Sequence, residues 1–158
     1  MWKELSALWT SLGDAEYSHL LLEPLPLYGI ALGLVFLVGG YLIKDIRARF
    51  FALGIIAACS FSVGPYAFMR SKSMPDVLKI TDSAYHPLIQ AQTERRLSTR
   101  WLYYTIGAVS IAAGMLGHRG KGLFLVGLVV VLGSVGVVHS LWLHKKECEV
   151  FHRNLISP

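Results

Sequence analysis

Residues Pro24 to Ile43 read PLPLYGIALGLVFLVGGYLI and contain no Asp, Glu, Lys or Arg. A helix needs roughly 20 predominantly apolar residues to cross the hydrocarbon layer of a bilayer, and this stretch has that length. Lys44, Arg47 and Arg49 follow it directly, as is typical where a helix leaves the membrane. The stretch therefore predicts a transmembrane helix.

Three further stretches, residues 50–69, 101–117 and 122–143, are also apolar and also lack charged side chains. In lipid, backbone polar groups are satisfied only within helices or closed barrels. The stretches do not alternate between apolar and polar residues as barrel strands do. We therefore expect an all-α, polytopic integral membrane protein: one membrane domain over residues 1–158, built as an antiparallel four-transmembrane-helix bundle.

The composition agrees with this class. The 158 residues are 54% hydrophobic and 16% charged, which leaves no room for a soluble domain beside four spans. A net charge of +5 would suggest a nucleic-acid partner in a soluble protein, but here the basic residues flank the apolar stretches. The lipid bilayer is thus the expected partner, and nucleic acid is not. The first 20 residues hold charges and no continuous apolar run, which argues against a cleaved signal peptide.

Two segments outside the spans are expected to be helical. Residues 2–12 place Trp2, Leu5 and Trp9 at helical spacing and predict a short interfacial helix, with a frayed polar terminus as the alternative. The long connection, residues 70–100, is expected to be loop from Ser71 to Tyr85 and helical from about Pro87. That helix should continue to Leu116, because neither Gly nor Pro supports a break before Trp101.

Small residues should bring the helices close together, because helices in lipid gain nothing from hydrophobic exclusion. Gly64 and Pro65 should kink the second helix near its end. The candidate small-residue pairs are Gly29 with Gly33, Ala108 with Ala112, Ser110 with Gly114, and Gly133 with Gly136.

Four spans put both termini and the long connection on one face of the membrane. The two short connections have the densest basic clusters, so we place them in the cytoplasm of a bacterial inner membrane and both termini on the periplasmic side. A plain count of Lys and Arg favours the opposite orientation, and both remain open.

Four histidines should lie on the face that carries the termini: His19, His86, His139 and His144. Two imidazoles from different helices are what axial ligation of haem b requires, and a divalent metal could be held similarly with Glu23 as a carboxylate ligand. The alternative is that each histidine is an ordinary interfacial residue.

The C-terminal tail offers a second metal hypothesis. His144, Cys148 and His152 recur at four-residue intervals, so an adjacent pair could chelate an ion on a continuing helix, although a solvated tail is the alternative. The chain has no phosphate-binding loop, zinc-protease motif, nucleophile elbow or Cys-x-x-Cys motif, so it offers no catalytic residues.

The segment HLLLEPLP, from His19 to Pro26, leads straight into the first apolar stretch. It resembles the opening of a bacterial four-helix membrane family catalogued as domain of unknown function 2231, whose members begin His-Pro, continue to His-Phe-Pro and carry a later His. His19, Pro26 and His86 match these positions, whereas Leu20 and Pro24 replace the family's Pro and second His. Some members are joined to cytochrome c-like modules, so the resemblance implies a setting near respiratory electron transfer, with His19 and His86 on the outer face.

The first hypothesis is therefore a small non-catalytic membrane subunit or binding protein. It would be associated with other subunits of a respiratory or electron-transfer complex, with His19 and His86 as the ligand pair for haem b. The alternative is a purely structural or assembly subunit without a cofactor, whose glycine-rich faces pack against larger partners. A membrane enzyme comes third and a transporter last, because the spans lack charged residues.

Overall fold

The computed structural model describes residues 14–116 and 122–151, and these ranges are helical apart from short turns. The expected interfacial helix at residues 2–12 and His152 lie outside them. One turn of 3-10 helix occupies Ser83–Tyr85. The α-helices of the described ranges are α1 (Ala15–Leu22), α2 (Leu25–Leu42), α3 (Ile46–Phe61), α4 (Val63–Ile80), α5 (His86–Ser98), α6 (Arg100–Leu116) and α7 (Gly122–Phe151).

Three helical stretches of the described ranges are long and apolar enough to cross a membrane. They are Leu25–Leu42, Ile46–Ile80 and Gly122–Glu147, the second being α3 together with α4. The expectation of an all-helical membrane protein is confirmed at this level. The remaining apolar helix, α6, has 17 residues.

The core lies inside a ring of four helices, in which α2 packs on α3, α3 on α6, α6 on α7, and α7 on α2. Consecutive members of the ring run in opposite directions. Their facing side chains are mainly aliphatic, and Ile30, Leu37, Ile56, Ile106 and Val129 are fully buried among them. The first and last helices of the ring are neighbours, so segments near both ends of the described chain meet at one end of the bundle.

Glycines set the close approach of these helices, as predicted. A Cβ on Gly33 would lie 2.5 Å from Cγ1 of Ile56, and one on Gly136 would lie 2.6 Å from Cδ1 of Ile106. Gly29 faces Cys59 in the same way. Gly29 and Gly33 therefore pack against α3 of the same chain.

The expected loop from Ser71 to Tyr85 is also wrong, because α4 continues to Ile80 with Pro75 inside it. Ser71 and Pro75 are both exposed, so water can reach the Ser71 carbonyl that a proline cannot bond. Three residues before Pro65 the helix is interrupted at Ser62, where the hydroxyl donates a 2.7 Å hydrogen bond to the Cys59 carbonyl, and the expected kink stays a prediction.

The expected single helix from Pro87 to Leu116 is interrupted at Thr99. The hydroxyls of Ser98 and Thr99 donate hydrogen bonds of 3.0 and 2.9 Å to the Arg95 carbonyl. Side-chain hydroxyls that bond the backbone compete with the helical ladder. The Ser-Thr pair is therefore the local signal for the break, although it contains neither Gly nor Pro.

Two helical stretches are longer than the membrane is thick. At 1.5 Å per residue, the 35 residues of α3 and α4 extend about 52 Å and the 30 residues of α7 about 45 Å, against about 30 Å of hydrocarbon. At the same end, α1 packs on α4, and α5 packs on α4 and α7. We call α1, α4, α5 and the last turns of α7 the projecting end, and the turn between α2 and α3 the hairpin end.

Candidate functional site

A cavity of about 350 Å³ lies where the projecting end joins the ring of helices. Its polar lining includes Glu23 from the turn before α2, Arg96 from α5 and His144 from α7. The rest of its wall is formed mainly by apolar side chains, among them Leu27, Val63, Ala67, Leu97 and Leu143. The cavity thus combines charged groups with an apolar wall.

Two of the lining residues, Glu23 and Arg96, belong to an ion cluster of one guanidinium and two carboxylates. Arg96 donates through Nε and Nη2 to both carboxylate oxygens of Glu147, and Nη2 also lies 2.9 Å from Oε1 of Glu23. The side chains are 15%, 13% and 23% exposed for Arg96, Glu147 and Glu23, so water screens these pairs only partly. The cluster joins the start of α2 to α5 and to the end of α7.

Neighbouring groups hold Arg96 in place. Its guanidinium lies 5.3 Å from the centre of the Tyr66 ring, within cation–π distance. One turn earlier on α5, the buried Gln92 donates through Nε2 a 2.7 Å hydrogen bond to the Lys146 carbonyl. Arg70 of α4 donates a 3.4 Å hydrogen bond to the Thr93 hydroxyl. The polar face of α5, formed by Gln92, Thr93 and Arg96, is therefore hydrogen-bonded to both α4 and α7.

Burial raises the pKa of Glu23 to about 7, and a hydrogen bond with Glu147 acts in the same direction. The nearby Arg96 and Arg70 oppose this shift. Near neutral pH, Glu23 is therefore a mixture of its protonated and ionised forms, and its protonated form donates to Glu147. The group can exchange a proton in the range where most proteins work.

A neutral hydrogen-bonding pair lies deeper in the cavity wall. The hydroxyls of Tyr103 and Ser140 are 2.7 Å apart and both residues are buried. Tyr103 belongs to α6 and Ser140 to α7, so the pair also bridges two helices of the ring. A ligand head in the cavity could hydrogen-bond to these hydroxyls.

Glu23, His144 and Glu147 each place one potential ligand atom within 4.8 Å of the other two. The structure thus brings Glu23 and His144 together with Glu147, to which the sequence analysis gave no role. However, Arg96 already occupies both carboxylates. A metal ion would have to displace the Arg96 guanidinium from both carboxylates. The arrangement is therefore better described as a salt-bridge cluster than as a metal site.

The predicted histidine ligands have different neighbours. His86 donates through Nε2 a 3.0 Å hydrogen bond to the Thr81 carbonyl at the end of α4. The His139 ring packs 6.2 Å from the Tyr103 ring and 5.7 Å from the Trp142 ring, and its Nε2 has no hydrogen-bond partner among the described residues. The side chains of His19 and Cys148 lie outside the described part, so haem ligation by His19 and His86 stays a prediction.

Arg96 and Glu147 form the closest ion pair of the cluster, and the sequence analysis assigned neither of them a role. A signal for Arg96 exists, since Ile89, Gln92, Thr93 and Arg96 share one face of α5 and the first three are buried. A helix face that buries Gln and Thr requires polar partners on a neighbouring helix. The sequence does not indicate which helix supplies them.

Searches against protein families, curated proteins and solved structures find no match to this chain. The resemblance of the His19 to Pro26 segment to the domain of unknown function 2231 therefore stays a prediction.

Proposed function

We propose that this chain is a small, non-catalytic integral membrane binding protein whose cavity takes the head of a neutral amphiphile. The observation that carries the proposal is the cavity itself. It has the size range of small-molecule sites and combines hydrogen-bonding groups with a mainly apolar wall.

The charges in and around the ion cluster favour a neutral head. Arg96 and Arg70 face Glu23 and Glu147, so the cations and carboxylates nearly balance when Glu23 is ionised. A charged head would be attracted by one pair and repelled by the other, and it would also lose its hydration. A neutral head with carbonyl or hydroxyl oxygens can instead hydrogen-bond to Arg96, Tyr103 or Ser140.

The position of the cavity favours an amphiphile over a water-soluble ligand. Tyr28 lines the cavity and is 67% exposed one turn inside α2, a span whose outer surface faces lipid. An apolar tail could therefore leave the cavity sideways into the bilayer while the head stays near the ion cluster. Quinones of electron-transferring membranes are neutral amphiphiles, so this ligand class agrees with the predicted respiratory setting.

The number of membrane-spanning helices and their orientation are part of the same proposal. We include α6 as the fourth crossing helix, because it packs between α3 and α7 and its 17 residues reach the lower limit for a span. A bacterial inner membrane with both termini on the periplasmic side, and association with a respiratory complex, stay part of the proposal. Haem b ligation would appear as a Soret band lost in His86→Ala.

Three ligands with the same ten-carbon tail test the choice of head. Decyl-benzoquinone, undecanoate and decyltrimethylammonium are titrated against purified protein in detergent, with tryptophan fluorescence as the readout. We expect the quinone to bind at least about tenfold more tightly than either ion. Equal affinities would mean that only the tail is recognised, and tighter binding of an ion would contradict the proposal.

Matched tyrosine variants locate the binding. Tyr103→Phe should weaken quinone binding about tenfold, because one good hydrogen bond to a buried head is removed. Tyr104→Phe changes the adjacent residue, which does not line the cavity, and should leave the affinity unchanged. Equal effects of the two variants would place the ligand elsewhere.

A further inference from the structure

A second concave surface lies on the outside of the bundle at the hairpin end. It is an apolar groove of about 360 Å³ between α2 and α3. Its walls include Val35, Phe36, Ile43 and Phe51, with Gly39 and Ala48 at the small-residue positions. This groove is separate from the cavity at the projecting end and shares no residue with it.

The groove has the length and direction of a lipid chain in one leaflet. Val35 and Ile43 are eight residues apart on α2, which corresponds to about 12 Å along the helix. One leaflet contributes about 15 Å of hydrocarbon. The groove therefore starts at the hairpin, at the level of lipid head groups, and runs along most of one leaflet.

Gly39 is the residue that leaves the groove open. No atom lies within 4 Å of the position that its Cβ would occupy, in contrast to Gly33 on the same helix, which is packed against Ile56. The lack of a side chain at position 39 therefore does not serve helix packing. It leaves space on the lipid-facing surface.

The hairpin places positive charge at the mouth of the groove. Lys44 and Arg47 are exposed and have no ion-pair partner among the described residues. Asp45 caps α3 by accepting hydrogen bonds from the Arg47 and Ala48 amides, at 2.8 and 3.3 Å. Lys44 has a φ of 57°, the left-handed conformation that a tight turn requires, and therefore lies at its tip.

Arg49 differs from these two cations because its guanidinium already has partners within the protein. Its Nε donates a 3.0 Å hydrogen bond to the Gly40 carbonyl, and its guanidinium lies 4.0 Å from the centre of the Tyr41 ring. This leaves Lys44 and Arg47 as the cations available to a ligand. Two cations above an apolar groove match a phosphate above an acyl chain.

We propose that the groove binds one anionic phospholipid, whose acyl chain lies along Val35, Gly39 and Phe51 and whose phosphate contacts Lys44 and Arg47. Basic clusters at helix ends attract anionic lipids, and basic pockets between transmembrane helices bind their head groups. A partner helix fits less well, because a groove of about 12 Å covers only about two helical turns.

Competition between two lipids tests the charge requirement. The delipidated protein is mixed with equal amounts of phosphatidylglycerol and phosphatidylcholine of identical acyl chains, and retained lipid is counted by native mass spectrometry. We expect the protein to retain phosphatidylglycerol as its first lipid at least tenfold more often than phosphatidylcholine. Lys44→Gln with Arg47→Gln should remove most of this preference, about fivefold for each cation. Equal retention of both lipids by the wild-type protein overturns the proposal.

Filling the groove tests the acyl-chain requirement. Gly39→Leu introduces a side chain into open space, so the protein should fold with an unchanged melting temperature while retention of the anionic lipid falls at least tenfold. Gly127→Leu on α7 is the matched control, because its Cβ also meets no atom within 4 Å and it lines neither the groove nor the cavity. Undiminished retention in Gly39→Leu, or a dimer that only this variant dissociates, overturns the proposal.

Discussion

Arginine side chains have different partners at the two ends of this bundle. At the projecting end, Arg96 is largely buried and pairs with two carboxylates from two other parts of the chain. At the hairpin end, Arg49 donates to a backbone carbonyl nine residues away and covers a tyrosine ring. The first arrangement needs helices beyond the membrane that shield the charges, and the second needs only a tight turn. The buried ion cluster therefore lies where α4, α5 and α7 continue past the lipid.

The largest difference between the two ends should come from removing each arginine. Arg96→Met leaves Glu23 and Glu147 partly buried without their cation, and should lower the free energy of unfolding by about 3–5 kcal/mol. Arg49→Met removes one hydrogen bond and one ring contact, and should cost about 1–2 kcal/mol. Thermal unfolding in detergent measures both, and equal losses would contradict the comparison.

A triple replacement controls for lost packing at position 96. Arg96→Met combined with Glu23→Gln and Glu147→Gln removes the uncompensated charges along with the cation. It should recover most of the stability that Arg96→Met loses, because breaking an ion pair costs more than replacing it. A triple variant as unstable as Arg96→Met would show that packing of the arginine, and not its charge, stabilises this end.

The dependence of stability on pH should come next in size and should arise at the projecting end. Glu23 has a pKa of about 7 in the folded protein against 4.5 for an ordinary glutamate, so folding favours its protonated form. The stabilisation that protonated Glu23 provides is complete below pH 4.5 and is lost as the pH rises through 7. The free energy of unfolding then falls by at most about 3 kcal/mol. Melting temperatures between pH 5 and 8 should therefore fall for the wild-type protein.

Glu23→Gln isolates this contribution. The difference in melting temperature between variant and wild type should change across that range, whereas Asp45→Asn at the hairpin end should give a constant difference. The groups around Glu23 are Arg96, Arg70, His144 and Glu147, and all are retained in the variant. A difference that does not change with pH would place the pKa of Glu23 well below 7.

A smaller effect is expected inside the cavity wall. Tyr103→Phe removes the hydrogen bond to Ser140 and leaves a buried hydroxyl without that partner, at a cost of about 2 kcal/mol. Tyr28→Phe changes an exposed tyrosine of the same cavity and should be neutral. Chemical denaturation midpoints compare the two, and similar midpoints would show that the Tyr103 pair adds no stability.

The smallest effect belongs to the hairpin end. Asp45→Ala removes the side-chain cap of α3, and caps of this kind contribute about 1 kcal/mol. Asp45→Ser keeps an acceptor at the cap and should recover most of the loss. Its melting temperature should lie nearer to the wild type than that of Asp45→Ala.

The sequence was sufficient to predict the long apolar helices and insufficient to predict the ion cluster, for a physical reason. Apolar length is a property of one segment, so Leu25–Leu42 and the apolar part of α7 could be predicted directly. The cluster of Glu23, Arg96 and Glu147 joins residues 51 and 73 positions apart. No local pattern specifies which of several charged residues near the helix ends will meet.

The errors in the long connection have local causes. Pro75 suggested a loop, but a proline on an exposed helix face loses only a bond that water can replace. Ser98 and Thr99 looked like ordinary helical residues, yet their hydroxyls bond the Arg95 carbonyl where the helix is interrupted. Rules based on Gly and Pro alone therefore misplaced both boundaries.

The bond between Glu147 and Arg96 also has a consequence for biosynthesis. Ribosomes make the chain from its N-terminal end, so Glu23 and Arg96 emerge well before α7 is complete. Until Glu147 is translated, the guanidinium has only the first carboxylate as its partner. The cluster therefore closes only after the last helix of the ring has been synthesised, and a nascent chain stalled before position 147 should be more sensitive to protease at this end than the released protein.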